Sequence, residues 1–124
     1  MDDPEVIMRD ATRSSDLLAC SKALDAAGAV LQLVTGVPTR LRCLADQAVR
    51  AASSVPANLA EGHGRSGKDR TYHWRIAYGS AKEVDCHLRL LARAGAVDAA
   101  AANEALQAFD EVRAMTWRLL HPAR

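Results

Sequence analysis

Apolar residues recur at helical spacing in four segments of the chain, and each segment is bounded by residues that commonly start or stop helices. In the first segment, Ser15 is a predicted N-cap, and Gly36, followed by Val37 and Pro38, ends the helix. Spacings of three and four residues predict its core seam, formed by Leu17, Cys20, Leu24, Ala27, Leu31 and Val34. Residues 1–13 show no sustained period and are predicted to form a flexible or loosely packed N-terminal arm.

A proline interrupts the second segment, which is predicted to begin near Thr39 and to end at the glycine-rich turn of residues 62–64. Pro56 removes the amide hydrogen bond to the carbonyl of Ala52 and clashes with that turn. Because helical spacing continues on both sides, the sequence predicts one continuous helix that is bent at Pro56. Its predicted core residues are Leu41, Leu44, Ala48, Ala52, Val55 and Leu59.

Capping signals open the third and fourth segments. Ser66 and Asp69 fit a capping box, and Gly95 is the predicted stop of the third helix. Asp98 is predicted to cap the fourth helix, which is closed by Pro122. The predicted core residues of the two helices are Ala77, Ala81, Val84, Leu88 and Leu91, with Tyr72 and Ile76 leading in, and Leu106, Phe109, Val112, Met115 and Leu119.

Four amphipathic helices with short connections predict an all-α fold, an antiparallel up-down-up-down four-helix bundle. The 124 residues correspond to one domain, residues 1–124. Aromatic residues make up only 4% of the chain, so the core is predicted to consist of small and aliphatic side chains.

The cysteines and the N-terminus indicate a cytoplasmic location. Three cysteines, Cys20, Cys43 and Cys86, are odd in number, widely spaced and free of a C-x-x-C pattern, which favours neither disulfides nor a zinc site. The first residues are acidic and contain no signal-peptide pattern. No apolar run approaches the roughly 20 residues that a membrane span needs, so no membrane partner is predicted.

Two candidate ligand sites can be weighed and set aside. Residues 62–68, GHGRSGK, match G-x-G-x-x-G, but they follow a predicted helix rather than a strand, and Asp69 replaces the magnesium-binding hydroxyl of a P-loop. Glu83 and His87 lie one turn apart without the second pair that a di-iron bundle needs. No cofactor, metal or small-molecule substrate is therefore predicted, and no nucleophile and base can be assembled for an enzyme.

The charge distribution is uneven along the chain. Residues 36–82 contain eight basic and three acidic residues, a net charge of +5, whereas the remainder carries −4. Guanidinium groups bind phosphate in bidentate fashion, so a nucleic-acid surface is predicted beside the alternative of a merely solvated face. The candidate residues are Arg40, Arg42, Arg65, Lys68, Arg70 and Arg75.

The candidate residues differ in what the sequence predicts for them. Arg65 has Glu61 as a potential internal partner one turn away. Four others flank predicted helix ends and are expected to be free of a structural role: Arg40, Arg42, Lys68 and Arg70. No aromatic platform for stacking bases is predicted.

The stretch Gln47 to Arg65, QAVRAASSVPANLAEGHGR, and the later stretch AYGSAKE closely resemble the four helix bundle protein family, also called the 23S rRNA intervening-sequence proteins. The matching motif residues are Ser54, Pro56, Asn58, Glu61, Gly62, Arg65, Gly79, Ser80 and Glu83. The resemblance implies a four-helix bundle that assembles into a homopentamer. That bundle is also similar to the accessory variability determinants of diversity-generating retroelements, basic pentamers that work with a reverse transcriptase and nucleic acid.

These observations together predict a non-enzymatic homo-oligomeric scaffold that binds RNA, DNA or a ribonucleoprotein such as a reverse transcriptase complex. The alternative is a protein-interaction module that binds no nucleic acid. Self-association is also predicted from apolar residues that lie off the main seams and would remain exposed on a lone bundle. These are Val30, Leu33, Trp74, Leu90 and Trp117.

Overall fold

Four long helices make up the computed structural model, which describes the backbone of residues 4–123 and the side chains of residues 15–123. The helices are α1 (Pro4–Leu33), α2 (Arg42–His63), α3 (Gly67–Arg93) and α4 (Ala99–Leu120). A short 3-10 helix, Thr39–Leu41, leads into α2. The described backbone contains no strand, which confirms the predicted all-α class.

Each helix packs against two others. Across the described residues, α1 and α3 both pack on α2 and α4 but do not pack on each other. The four helices therefore surround one central core, as the predicted bundle requires. The antiparallel order follows from the short connections and stays a prediction. No helix within residues 4–123 has an apolar run that would reach across a bilayer.

The ends of α3 and α4 follow from local chemistry. The carboxylate of Asp98 accepts a hydrogen bond from the amide of Ala101 at 2.9 Å, which confirms the predicted cap. Gly95 ends α3 with a φ of 70°, a left-handed conformation that favours glycine. Ser66 stands at the N-cap of α3, as predicted, but the capping box is not formed, because its side chain makes no capping hydrogen bond. Gly67, the first residue of α3, has a φ of 60°, a left-handed conformation that favours glycine.

The first helix differs most from its prediction. It already begins at Pro4, so Ser15 lies inside it and is not an N-cap. Proline is tolerated there because the first amides of a helix have no intrahelical partner. The predicted arm at residues 1–13 thus overlaps α1, and the packing of its side chains lies outside the described residues.

The predicted core seam of α1 is wrong in three of its six positions. Leu17, Leu24 and Leu31 are 51%, 60% and 53% exposed. Ala27 and Val34 are buried as predicted, and the rest of the buried face is formed by Ala19, Ala23, Ala26 and Val30. The prediction that Val30 stays exposed is therefore wrong. Both faces are apolar at helical spacing, so periodicity alone did not distinguish them. Alanine lets the helix axes approach closely, and this close packing places the alanine face inside.

The cores of the other three helices largely match the prediction. Trp74 is an exception, since it is buried in the core rather than left on the surface, and Tyr72 is exposed rather than buried. Leu90 and Trp117 are exposed as expected. Trp74 is buried rather than exposed because a glycine on α2 leaves space for its ring.

Gly62 provides that space. A Cβ atom at Gly62 would lie 2.4 Å from Nε1 and 2.5 Å from Cδ1 of Trp74, closer than van der Waals contact allows. The indole therefore packs directly on the backbone of α2. This contact gives Gly62, one of the motif residues, a steric role.

The variant Gly62→Ala should lower the free energy of unfolding by about 1–3 kcal/mol, because the added methyl group overpacks the junction. Gly79→Ala is the matched control: a Cβ there meets no atom within 4 Å. Alanine should stabilise the α3 interior by about 0.5–1 kcal/mol. Urea denaturation followed by circular dichroism measures both, and equal stabilities would contradict the steric role of Gly62.

Candidate functional site

Three of the predicted motif residues, Ser54, Asn58 and Ser80, form a hydrogen-bonded cluster between α2 and α3 together with His73, which was not among the predicted residues. The amide nitrogen of Asn58 donates to the carbonyl oxygen and to Oγ of Ser54, at 2.9 and 3.1 Å. Oγ of Ser80 donates to Oγ of Ser54 at 2.9 Å. Nδ1 of His73 lies 3.1 Å from Oδ1 of Asn58, and because that oxygen only accepts, Nδ1 carries the proton. The cluster thus links the two helices through four polar side chains.

A shallow groove of about 350 Å³ runs beside this cluster. It is lined by Gln47, Arg50, Ala51, Ser54, Ser80 and Glu83. Glu83, another motif residue, lines the groove with Ser54 and Ser80, and within residues 15–123 no three side chains of His, Cys, Asp or Glu lie together as a metal site. The groove offers hydrogen bonds and one charge of each sign, which suits recognition of a polar surface.

Side-chain donors surround Pro56. α2 is continuous from Arg42 to His63, as predicted, while the bend at Pro56 stays a prediction. Oγ of Ser53 donates to the carbonyl of Arg50 at 3.1 Å, and Sγ of Cys20 donates to the carbonyl of Pro56 at 3.7 Å. Burial, with a smaller contribution from Asp16, raises the pKa of the Cys20 thiol. Cys20 is therefore a structural donor rather than a reactive thiol.

Arg65 is engaged with Glu61, as the alternative interpretation allowed. Its Nη2 lies 2.7 Å from Oε1 of Glu61. The hydrogen bond and charge of Arg65 lower the pKa of Glu61, and the same contact raises the pKa of Arg65. Both groups are exposed, so the pair contributes little to stability, yet it partly neutralises one candidate cation.

Arg70 has a structural role, so the prediction that it is free of one is wrong. Its Nε donates to the carbonyl of Gly62 at 3.0 Å, and its Nη2 donates to the carbonyl of His63 at 3.2 Å. The guanidinium also lies 5.4 Å from the ring centroid of Trp74. The last carbonyls of a helix lack intrahelical partners, and the tight α2–α3 connection brings Arg70 within reach of them.

The remaining candidates, Arg40, Arg42, Lys68 and Arg75, are exposed. Within residues 15–123, no carboxylate forms an ion pair with any of them. They do not form one cluster. Arg42 begins α2, whereas Lys68 lies in the first turn of α3, beyond the other end of α2, whose 22 residues span about 33 Å.

A buried ionisable pair was not found by sequence reasoning. Asp16 on α1 is 0% exposed, and both of its carboxylate oxygens lie 3.1 Å from Nδ1 of His63 at the end of α2. Asp16 occupies the alanine face of α1, so it would have attracted attention only if that face had been recognised as the core. A charged residue on an apolar face was the available sequence signal, but it could be recognised only if the alanine face of α1 was known to be the buried one.

The variant Arg70→Ala should lower the free energy of unfolding by about 1.5–3 kcal/mol, because two carbonyls at the end of α2 lose a charged donor. Arg75→Ala, an exposed arginine on the same helix, should change stability by less than about 0.5 kcal/mol. Thermal and urea denaturation compare the two. Indistinguishable losses would show that Arg70 does not cap α2.

Comparisons with known proteins agree with the fold. A family model described as 23S rRNA-intervening sequence protein matches residues 15–118. No curated protein matches the chain. Among solved structures, the chain is similar to a protein of unknown function from the S23 ribosomal protein family of Bacteroides thetaiotaomicron. The TM-score is 0.78 at 19% identity, covering 86% of this chain and 97% of that one, so this likeness concerns the fold alone.

Proposed function

Because the chain belongs to the 23S rRNA-intervening sequence protein family, we propose that it is a non-enzymatic, self-assembling helical scaffold that binds nucleic acid or a ribonucleoprotein. The observation that carries the scaffold role is an exposed row of leucines on α1. The binding role is supported by exposed cations that have no carboxylate partner within residues 15–123.

The leucine stripe consists of Leu17, Leu24 and Leu31, each more than half exposed. The three follow one another at intervals of seven residues, which keeps them on one side of α1 and is the repeat of coiled-coil contacts. Small residues, Ser21 and Gly28, lie between them, and a Cβ at Gly28 would meet no atom within 4 Å. The stripe is therefore apolar, regular and open to close approach.

A second copy of the chain suits this surface best. Scattered exposed leucines are normal on a monomer, but a continuous row indicates an interaction surface. Within the bundle, α1 already packs on α2 and α4, and neither helix covers the stripe. A ring of five copies is the assembly that the family resemblance implies, and it would repeat every cation five times.

The cations of such an assembly favour a phosphate-rich partner. Arg40 and Arg42 lie together at the start of α2, while Lys68 and Arg75 lie on α3. Repetition by symmetry brings many exposed positive charges onto one particle, which strengthens binding to a polyanion. RNA, DNA or a reverse transcriptase complex is the proposed class of partner.

The double variant Leu24→Glu, Leu31→Glu should dissociate the assembly to monomers at micromolar concentration, because two carboxylates per copy cannot be buried in an apolar interface. Native mass spectrometry and light scattering measure the mass. The matched control is Leu90→Glu, a comparably exposed leucine on α3, which should leave the assembly intact.

Other oligomeric states, measured in the same experiment, would contradict parts of the proposal. A wild-type monomer at micromolar concentration would refute the scaffold. A stable dimer that the double variant dissociates would keep the stripe as an interface and exclude the ring. Dissociation by Leu90→Glu as well would show that the stripe is not the specific contact.

Nucleic-acid binding should depend steeply on salt. Raising salt from about 50 to 200 mM should weaken a complex with six phosphate contacts by roughly a thousandfold, because counterions are released on binding. Arg40→Glu with Arg42→Glu should weaken binding and reduce the salt dependence. The charge-matched control reverses Lys22 and Arg89, which already pair with Glu111 and Asp85.

Fluorescence anisotropy with labelled RNA and DNA measures these affinities. The control variant should bind nearly as tightly as the wild type. Absence of binding at low salt, or equal weakening by the two double variants, would favour the alternative function, a protein-interaction module that binds no nucleic acid.

A further inference from the structure

A second groove, between α3 and α4, combines aromatic rings with positive charge. It measures about 520 Å³ and is lined by Tyr78, Asp110, Arg113, Ala114, Trp117 and Arg118. We call it the α3–α4 groove. None of its residues belongs to the polar cluster between α2 and α3.

Trp117 is the central feature of the α3–α4 groove. It is 48% exposed, although an indole of this size is normally buried. The ring of His121 stacks on it at 4.1 Å with an interplanar angle of 23°, and Nδ1 of His121 donates to the carbonyl of Trp117 at 2.9 Å. The imidazole therefore covers one face of the indole, and Trp117 is 48% exposed with that face covered.

Cations lie at the α3–α4 groove. Arg113 and Arg118 line it, and Nζ of Lys82 lies 5.5 Å from the ring centroid of Tyr78, another lining residue. Arg118 is exposed without a carboxylate partner within residues 15–123, whereas Arg113 bonds to Asp110, the acidic residue of the lining. Positive charge thus exceeds negative charge in a groove that contains an exposed aromatic side chain.

We propose that the α3–α4 groove binds a single-stranded nucleic acid by stacking an unpaired base on Trp117. Arg118 lines the same groove as the indole, where it can contact a flanking phosphate, and Lys82 lies over the ring of Tyr78 on the α3 side. A base inside a duplex is already stacked on its neighbours, so the aromatic face selects unpaired segments. This inference rests on the proposed nucleic-acid binding and names the form of nucleic acid that is bound.

The sequence predicted no aromatic platform for stacking bases. Trp117 lies outside the predicted core seam of α4, so it was interpreted only as an exposed apolar residue. Tyr78 lies on α3, and Trp117 lies on α4. Only the packing of α4 against α3 brings the two into one groove.

Tryptophan fluorescence provides a direct test. The chain has two tryptophans, of which Trp74 is 3% exposed and Trp117 is 48% exposed, so a base bound in the groove should quench Trp117. The variant Trp117→Phe, which keeps Trp74, should lose the quenching and is the matched control. At low salt, a uridine oligonucleotide of about 15 residues should quench Trp117, whereas a duplex of the same length should not.

Affinity measurements supply the second readout. By anisotropy, Trp117→Ala should weaken oligonucleotide binding by roughly 5- to 150-fold, the range for one lost base–aromatic stack. Trp117→Phe should retain most of the affinity. Tyr72→Ala is the matched control, because Tyr72 is equally a surface aromatic, 60% exposed, but lies outside the groove.

The outcomes separate this inference from the proposed function. If Trp117→Ala binds like the wild type while Arg40→Glu with Arg42→Glu weakens binding, the stacking site is overturned and the proposed function stands. Equal quenching by duplex, or by a poly-glutamate peptide, would also overturn the site. If no nucleic acid binds the wild-type protein, the proposed function falls together with the inference.

Discussion

The contact between the Trp74 indole and the backbone of Gly62 is the constraint on which the α2–α3 half of the bundle depends. It fixes the distance between the two helices at their junction. Arg70, held over the same ring, then reaches the last carbonyls of α2. Further along the helices, the same spacing lets short side chains such as Ser54 and Ser80 meet directly at 2.9 Å.

Much of the fold was predictable because α2, α3 and α4 each have one apolar face. Asp98 and Gly95 marked helix ends by local chemistry that needs no tertiary context. α1 was not predictable to the same degree, since its leucine and alanine faces have the same period. Larger side chains suggested the wrong face, whereas close packing favoured the smaller ones.

The candidate sites were less predictable, for a different physical reason. The motif around Asn58 indicated a family pattern, but the contacts with His73 and Ser80 that join this motif to α3 depend on how the two helices pack. Arg70 illustrates the problem, because the same arginine can bind phosphate or cap a helix, and only the position of the carbonyls of Gly62 and His63 decides between these roles. A count of charges along the sequence does not show which backbone carbonyls lie near an arginine in the fold.

The alanine face of α1 has a further consequence for the position of this helix. A row of methyl groups has few protrusions, so it resists sliding of α1 along its neighbours only weakly. The contact between the buried Asp16 carboxylate and His63 is directional, and it can set the axial position of α1 relative to the end of α2. The level at which the leucine stripe stands on the bundle is then determined by two residues that lie outside the stripe itself.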